Sequence, residues 1–379
     1  MVTMIRALAG EPGIPSGFPI LLDRNMAIIE PAFAWLLEHA TLRGRSHATE
    51  TVRTYGEHLY DWFDTLEQSE LSWDAINESV LAAYRNRMLE TPSPHTKRPY
   101  ARSTINARIH SVCRFYDWAH QREMISERPF RSVETIVFNL EGPRPGMRPR
   151  AVNLLSLAQA ERLPRPLRTE QLDRLFAKLG TEGRLAAEWA LTAGLRRKEI
   201  CGLKPAMIPD SHDLEPDDHP LVGIALTVTK SGQPRTVYPP LRLIDRTNWY
   251  IGEDRARIVY RCRKRNGTYR PPDSLLLTTV GTAMSPKTLT TIFARAFAAA
   301  GISGTLHWLR HTFAMVLLAR LQILARDNPN LNPLKIVQVL MGHRSITTTA
   351  IYLRCVELYE REISDSLAWL YGDEITDVA

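Results

Sequence analysis

Tyr352 stands nine residues after His343, in the stretch Gly342-His343-Arg344-Ser345-Ile346-Thr347-Thr348-Thr349-Ala350-Ile351-Tyr352. A second basic cluster, His307-Trp308-Leu309-Arg310-His311, lies upstream, and Gly194-Leu195-Arg196 with Glu199 lies further upstream still. A phenol among arginines and histidines suits covalent attack on a phosphodiester. The phenol is the nucleophile, and the cations stabilise charge that builds on the phosphate oxygens. Each piece also has an ordinary explanation. Arg196 and Glu199 fit an i,i+3 pair on a helix surface, although Gly194 permits a tight turn that presents the arginine inward. His307, Arg310 and His311 share one helical face, which suits phosphate binding or a histidine pair with no special task. Histidines at i and i+4 can also hold a metal. Trp308 stands where an acidic neighbour of His307 would be needed, and no carboxylate nearby completes a shell, so no metal is expected. Taken singly, Tyr352 between Ile351 and Leu353 is a core tyrosine and His343 a turn residue. Only the ordered set argues for chemistry.

The whole chain sets the frame for that chemistry. At 379 residues it is long enough for two domains with substantial cores. A hydrophobic fraction of 44% with 8 Trp fits a globular protein. Cations exceed acids by 48 − 41 = 7, most of them arginine, which favours a polyanionic partner, though many proteins without one are as basic. Cys113, Cys201, Cys262 and Cys355 show neither metal-like nor disulfide-framework spacing, so a reducing cytoplasm is the expected location. No apolar run approaches the roughly 20 residues that cross a bilayer, and the N-terminus lacks a basic region leading into an apolar stretch. No membrane association is expected.

The elements that must position the cluster can be read from periodicity. Residues 1–22, rich in Gly and Pro, read as a loose arm. Residues 23–135 read as a helical domain. One helix is expected over about Thr49–Leu66, capped by Ser46 or Thr49, with Val52, Tyr55, Leu59, Phe63 and Leu66 on one stripe. Another is expected over about Ser103–Gln121, burying Ile105, Ile109, Val112, Tyr116 and Ala119. Its opposite face, with Ser103, Asn106, His110 and Arg114, is able to enter a major groove or to be merely solvated. The proline-rich stretch 136–168 reads as a linker. The second domain, 169–372, opens on a helix that Thr169 can cap, followed by two short helices meeting near Gly194. Alternation over Leu221–Tyr238 predicts a hairpin with Lys230 near its tip. Helices follow from about Pro286, ending in an amphipathic one over Glu357–Tyr371, with 373–379 as a tail. No internal repeat of 20–50 residues is present.

These motifs resemble, in order, those of the tyrosine recombinases, the phage-integrase family of site-specific recombinases. Gly194-Leu195-Arg196 with Glu199 resembles the family's first-arginine motif, and Lys230 with Gly232 and Arg235 its β-hairpin lysine motif. His307-Trp308-Leu309-Arg310-His311-Thr312-Phe313-Ala314 is similar to the family's His-x-Leu-Arg-His-Thr-Phe-Ala box. Leu340-Met341-Gly342-His343 followed by Thr348 and Tyr352 resembles its closing segment. The motif-level likeness covers Thr169 to about Leu370; Thr49–Phe130 is more weakly similar to the family's DNA-gripping domain. Segments 131–162, 205–220, 241–272 and 321–333 are longer than is usual there.

The resemblance implies a mainly α fold, with an N-terminal helical, SAM-like core-binding domain. The C-terminal catalytic domain it implies is mixed α/β, mostly helical with a small antiparallel sheet. It implies that Tyr352 attacks the scissile phosphate to give a 3′-phosphotyrosyl link, with Arg196 and Arg310 on the non-bridging oxygens. Lys230 would protonate the leaving 5′-oxygen, His307 assist the tyrosine, His343 bond the phosphate, and Glu199 and His311 orient the rest. Arg235 joins Ser103, Asn106, His110 and Arg114 as expected DNA contacts. No cofactor is implied, since transesterification conserves the bond energy. The implied partners are duplex DNA at a recombination site, further copies of the chain as a tetramer, and accessory or directionality proteins of a mobile element. A type IB topoisomerase-like or telomere-resolving enzyme, and a non-catalytic DNA-binding accessory protein on the same fold, are the alternatives.

Overall fold

The computed structural model describes the chain apart from residues 9–12, 42–48, 95, 140–145, 160–162, 165, 215–221, 228–233, 344 and 357–379; for Thr49, 135–139, 146–152 and 354–356 only the backbone is described. The chain divides into two compact units, Met1–Glu161 and Arg162–Ala379.

The first unit begins with strands β1 (Thr3–Arg6) and β2 (Pro19–Leu22), paired antiparallel with Thr3 opposite Leu22. Helices α1 (Glu30–Thr41), α2 (Thr49–Gln68), α3 (Glu78–Glu90) and α4 (Arg102–Gln121) follow, and then the antiparallel hairpin β3 (Ser132–Asn139) and β4 (Gly146–Asn153). Residues 1–8 and 13–22 are therefore not a loose arm. Val2, Phe18, Leu21 and Leu22 are buried in the same core as Trp35, Leu59, Trp62, Ile109 and Phe115. Neither does the proline-rich stretch run wholly as an extended linker, because Ser132–Asn139 and Gly146–Asn153 pair antiparallel. Pro149, which lacks an N–H, sits opposite Ile136, a place open to proline because both strands of a two-stranded ribbon are edges.

In α2 and α4 the apolar stripe faces inward as its period requires. Val52, Leu59, Phe63 and Leu66 are buried, as are Ile105, Ile109, Val112, Tyr116 and Ala119. The polar face of α4 divides. Ser103, His110 and Arg114 are exposed, whereas Asn106 is buried. Its amide accepts from the Leu157 N–H at 2.8 Å and donates to the Leu157 carbonyl at 2.9 Å, so it satisfies a strandless piece of backbone. The expectation that Asn106 faces DNA is corrected on that ground.

The second unit carries α5 (Thr169–Phe176), α6 (Thr181–Thr192) and α7 (Arg197–Cys201), and then the short antiparallel pair β5 (Ile224–Leu226) and β6 (Arg235–Val237). A helical run follows: α8 (Leu241–Tyr250), a π-helical turn Ile251–Arg255, and α9 (Ala256–Arg265). Last come α10 (Pro286–Ala299), α11 (Leu306–Asp327), α12 (Pro333–Met341) and α13 (Ile346–Val356). The main core gathers Leu185, Trp189, Ile200, Ile244, Leu275, Phe293 and Leu309. A smaller one, of Ala314, Met315, Leu318, Val337, Met341 and Tyr352, locks α11, α12 and α13 together. Lys230 and the expected C-terminal helix Glu357–Tyr371 lie outside the described residues.

Candidate active site

Three short-range devices bring the expected residues together in the second unit. Gly194 adopts φ +64 between α6 and α7, and a Cβ there would lie 2.7 Å from the Phe313 ring, so only glycine lets the chain turn against α11. Arg196 sits just before α7, with Glu199 one turn on. Gly342, at φ +57, ends α12 in a left-handed cap and aims His343 back toward the site.

Glu199 is the hub. It is 1% exposed, and its Oε1 accepts from Arg196 Nη1 at 2.9 Å and from Arg235 Nε at 3.1 Å. Its Oε2 accepts from the Arg196 backbone N–H and from Arg235 Nη2, both at 2.7 Å. Burial pushes the Glu199 carboxyl up, but the bonds and charges of Arg235, and then of Arg196, outweigh it and hold the group below the usual carboxylate range.

The guanidiniums also donate to the end of α12. Arg235 Nη1 donates to the Leu340 carbonyl at 2.6 Å, Arg310 Nη2 to the Met341 carbonyl, and Arg196 Nη2 to the Gly342 carbonyl at 3.1 Å. Arg310 Nη1 also donates to the Gly194 carbonyl. The last carbonyls of a helix have no partner within it and carry its negative dipole end, so a cluster of cations is stable there. Arg310 is 1% exposed. Burial, and then the charges of Arg196 and Arg235, lower its pKa to about 9.

Tyr352, 2% exposed on α13, brings its hydroxyl to 2.9 Å from His311 Nδ1. The histidine against the hydroxyl is thus His311 rather than His307. His307 is exposed one turn earlier, its ring edge-on to His311 at 4.4 Å between centroids. His343 lies parallel to the Tyr352 ring at 6.1 Å, and its Nδ1 is 2.9 Å from the hydroxyl of the fully buried Thr349. Burial and then Arg310 lower His343 to about 3, and burial and then His307 lower His311 to about 4, so both rings are neutral near pH 7.

The structure therefore gathers Arg196, Glu199, Arg235, Arg310, His311, His343 and Tyr352, with His307 at the rim. Sequence reading missed Thr349 and the carbonyls of Gly194, Leu340 and Met341. The threonine is one of three in a row, and a carbonyl carries no sequence signal. Arg235 was expected to contact DNA. Its side chain is 10% exposed and bonded to Glu199 and Leu340, so that expectation is corrected for the free chain. Among the described residues no group of His, Cys, Asp or Glu is arranged to hold a metal ion.

Comparison with known proteins agrees with this geometry. The phage integrase family profile matches residues 165–357, and that of the phage integrase N-terminal SAM-like domain matches 39–123. A tyrosine recombinase XerC of Halalkalibacterium halodurans is 24% identical over 317 residues, covering 81% of this chain and 88% of its own. A tyrosine recombinase XerD of Ralstonia nicotianae is 28% identical over 252 residues, covering 66% and 68%. Among solved structures, XerH bound to a palindromic difH substrate in a post-cleavage complex superposes with a TM-score of 0.56 at 16% identity, covering 93% of this chain and 92% of its own. A lambda integrase dimer bound to a core site gives 0.53 at 16% identity, covering 86% and 78%. At such identities the superpositions speak for the fold: a helical SAM-like unit followed by a mostly helical catalytic unit with small antiparallel sheets.

Proposed function

This chain belongs to the phage integrase family, and from that premise we propose how its side chains divide the work of a site-specific recombinase that cuts and rejoins duplex DNA. Tyr352 attacks the scissile phosphorus and leaves a 3′-phosphotyrosyl link and a free 5′-hydroxyl; reversal by a 5′-hydroxyl of the partner duplex completes strand exchange. Arg196 and Arg310 take the non-bridging oxygens, whose charge rises in the transition state. Arg310 is buried against the Gly194 and Met341 carbonyls, so phosphate binding and rearrangement at the end of α12 go together. His311 receives the phenol proton, directly or relayed to His307 at the rim. His343 bonds the phosphate, and Lys230 protonates the leaving oxygen. Glu199 and Arg235 position the two arginines.

The observation that carries this reading is the 2.9 Å contact between the Tyr352 hydroxyl and a histidine next in sequence to Arg310. The partners we propose are a duplex recombination site and further copies of the chain, in the end a tetramer across two sites, with accessory proteins setting direction. Val316, Ile323 and Leu324 on α11 and Val339 on α12 are between 47% and 61% exposed, the kind of aliphatic surface a second copy covers. No helix among the described residues is long and apolar enough to cross a membrane.

A nicked suicide duplex carrying any inverted repeat found in the DNA flanking the gene tests the reading on a denaturing gel. Wild type is expected to trap a covalent adduct, in EDTA as well, and Tyr352→Phe none. An equal adduct from Tyr352→Phe would sink the mechanism.

A further inference from the structure

Residues 256–270 hold Arg257, Arg261, Arg263, Lys264, Arg265 and Arg270 and no Asp or Glu. Six cations in this one segment stand against a net +7 for the entire chain, so it carries most of the molecule's charge surplus. All six are exposed. Arg257 lies near two acids of the preceding turn, 3.5 Å from Glu253 and 3.6 Å from Asp254. The other five make no ion pair or side-chain hydrogen bond among the described residues.

The helix is oriented so that these charges face out. Ile258, Val259 and Cys262 are buried against Leu277 and Tyr269. On the opposite side Arg257, Tyr260, Arg261 and Lys264 follow the i, i+3, i+4, i+7 spacing of one face, a row about 10 Å long. Tyr260, in the middle of it, is 67% exposed. None of these side chains takes part in the hydrogen bonds around Glu199, Arg310 and Tyr352. The patch is separate from the site.

We propose that this face of α9 and the turn after it is a second DNA-contacting surface, gripping the phosphate backbone of duplex that flanks the DNA held at Tyr352. The proposal rests on the recombinase reading. Charge favours a polyanion, whose phosphates neutralise a row of cations and release counterions. A lipid surface fits poorly, because an interfacial helix inserts its apolar face and that of α9 is already buried in the domain. Single strands fit poorly as well, because their binding uses rows of open aromatic faces. Here Tyr260 has one, while the Trp249 ring is covered by the Arg246 guanidinium 5.0 Å from its centroid.

The test is fluorescence anisotropy on the full chain with random-sequence duplexes of about 20 and about 60 base pairs across a salt series. Wild type should bind the longer duplex more tightly and with the steeper salt dependence. The variant Arg257→Gln/Arg261→Gln/Lys264→Gln alters only exposed side chains of that face, and an unchanged melting curve confirms its fold. It should lose about 0.9 of the logarithmic salt slope per phosphate contact, roughly 2 to 3 in all, and about tenfold or more in affinity for the long duplex. Its affinity for the short duplex should stay at the wild-type value. An unchanged slope and affinity on the long duplex overturns the proposal. So does an equal loss on both lengths, which would put the patch in the main groove. Binding to phosphatidylserine vesicles that the triple variant loses while keeping its duplex affinity overturns it too. Failure of the recombinase reading looks different: wild type then binds neither duplex, or traps no adduct.

Discussion

Arg235 holds one carboxylate and one helix end at once, and the consequences of removing it can be worked out. Arg235→Gln leaves Glu199 buried with Arg196 as its remaining cation. Breaking a buried pair from one side costs about 3 kcal/mol or more, because the other charge stays behind. Arg196 loses its fixed partner geometry and α12 loses the donor to Leu340, so adduct formation should fall about tenfold or more, 1.4 kcal/mol per tenfold. Arg235→Lys keeps the charge, but one ammonium cannot span both Glu199 oxygens and the Leu340 carbonyl, and it should restore stability more than rate. The pH dependence has a definite sign. Glu199 is held below the usual carboxylate range, so its contribution is present at neutral pH and lost as pH falls through its folded value. Without Arg235 that value rises, and the variant's adduct yield should drop at a higher pH than wild type's. Urea melts and adduct yields between about pH 5 and 8 measure both effects; a variant matching wild type in stability and profile would show that Arg235 positions nothing.

Among the elements, the turn that ends α12 carries the most consequence for its size. Gly342 has φ +57, and a Cβ there would collide with Arg235 Cδ. Gly301 has φ +66 and nothing within 4 Å of where a Cβ would stand, so it isolates the backbone term. Gly301→Ala should lower stability by about 1 kcal/mol and leave adduct formation alone, whereas Gly342→Ala should cost more and lose the adduct as well. Equal activity in the two variants, read on the same gel, would falsify the link between this turn and the arginine cluster. The same comparison shows what sequence carries. The stripes of α2 and α4 were legible because burial imposes a 3.6-residue period, and the box on α11 because its residue types are chemically rare together. Asn106 and Arg235 were not: their spacing says surface, and only distant backbone, at Leu157 and Leu340, turns them inward. Strands β1 and β2 escaped notice because their pairing joins residues far apart in a stretch full of Gly and Pro. The helical run 241–265 was obscured by its density of charge, which masks the inward positions Leu243, Ile244, Ile258, Val259 and Cys262.

At the scale of the whole molecule, the division into two units with separate cores predicts two unfolding transitions. Acid should separate them. His311 and His343 in the second unit are lowered to about 4 and about 3, chiefly by burial, and His58 in the first to about 4, by burial and then Arg108. A histidine whose folded value lies below its unfolded value near 6.5 costs nothing above that value. Below it the unfolded chain binds the proton first, and stability declines until the pH passes the folded value. Each contributes at most about 1.4 kcal/mol per pH unit, and less in proportion to its solvent screening. Two of these three rings lie in the second unit, so it should lose stability more steeply between about pH 6 and 4. Calorimetry at about pH 7.5 and 5 should show its transition moving further down than that of the first unit. Replacing His343 by Gln removes one proton site, so the difference between the two shifts should narrow; transitions that move together in the wild-type protein would contradict the burial of this pair. The prediction joins fold to chemistry, because the burial that keeps both rings neutral, and so leaves His311 able to accept the Tyr352 proton, also makes the catalytic unit acid-labile.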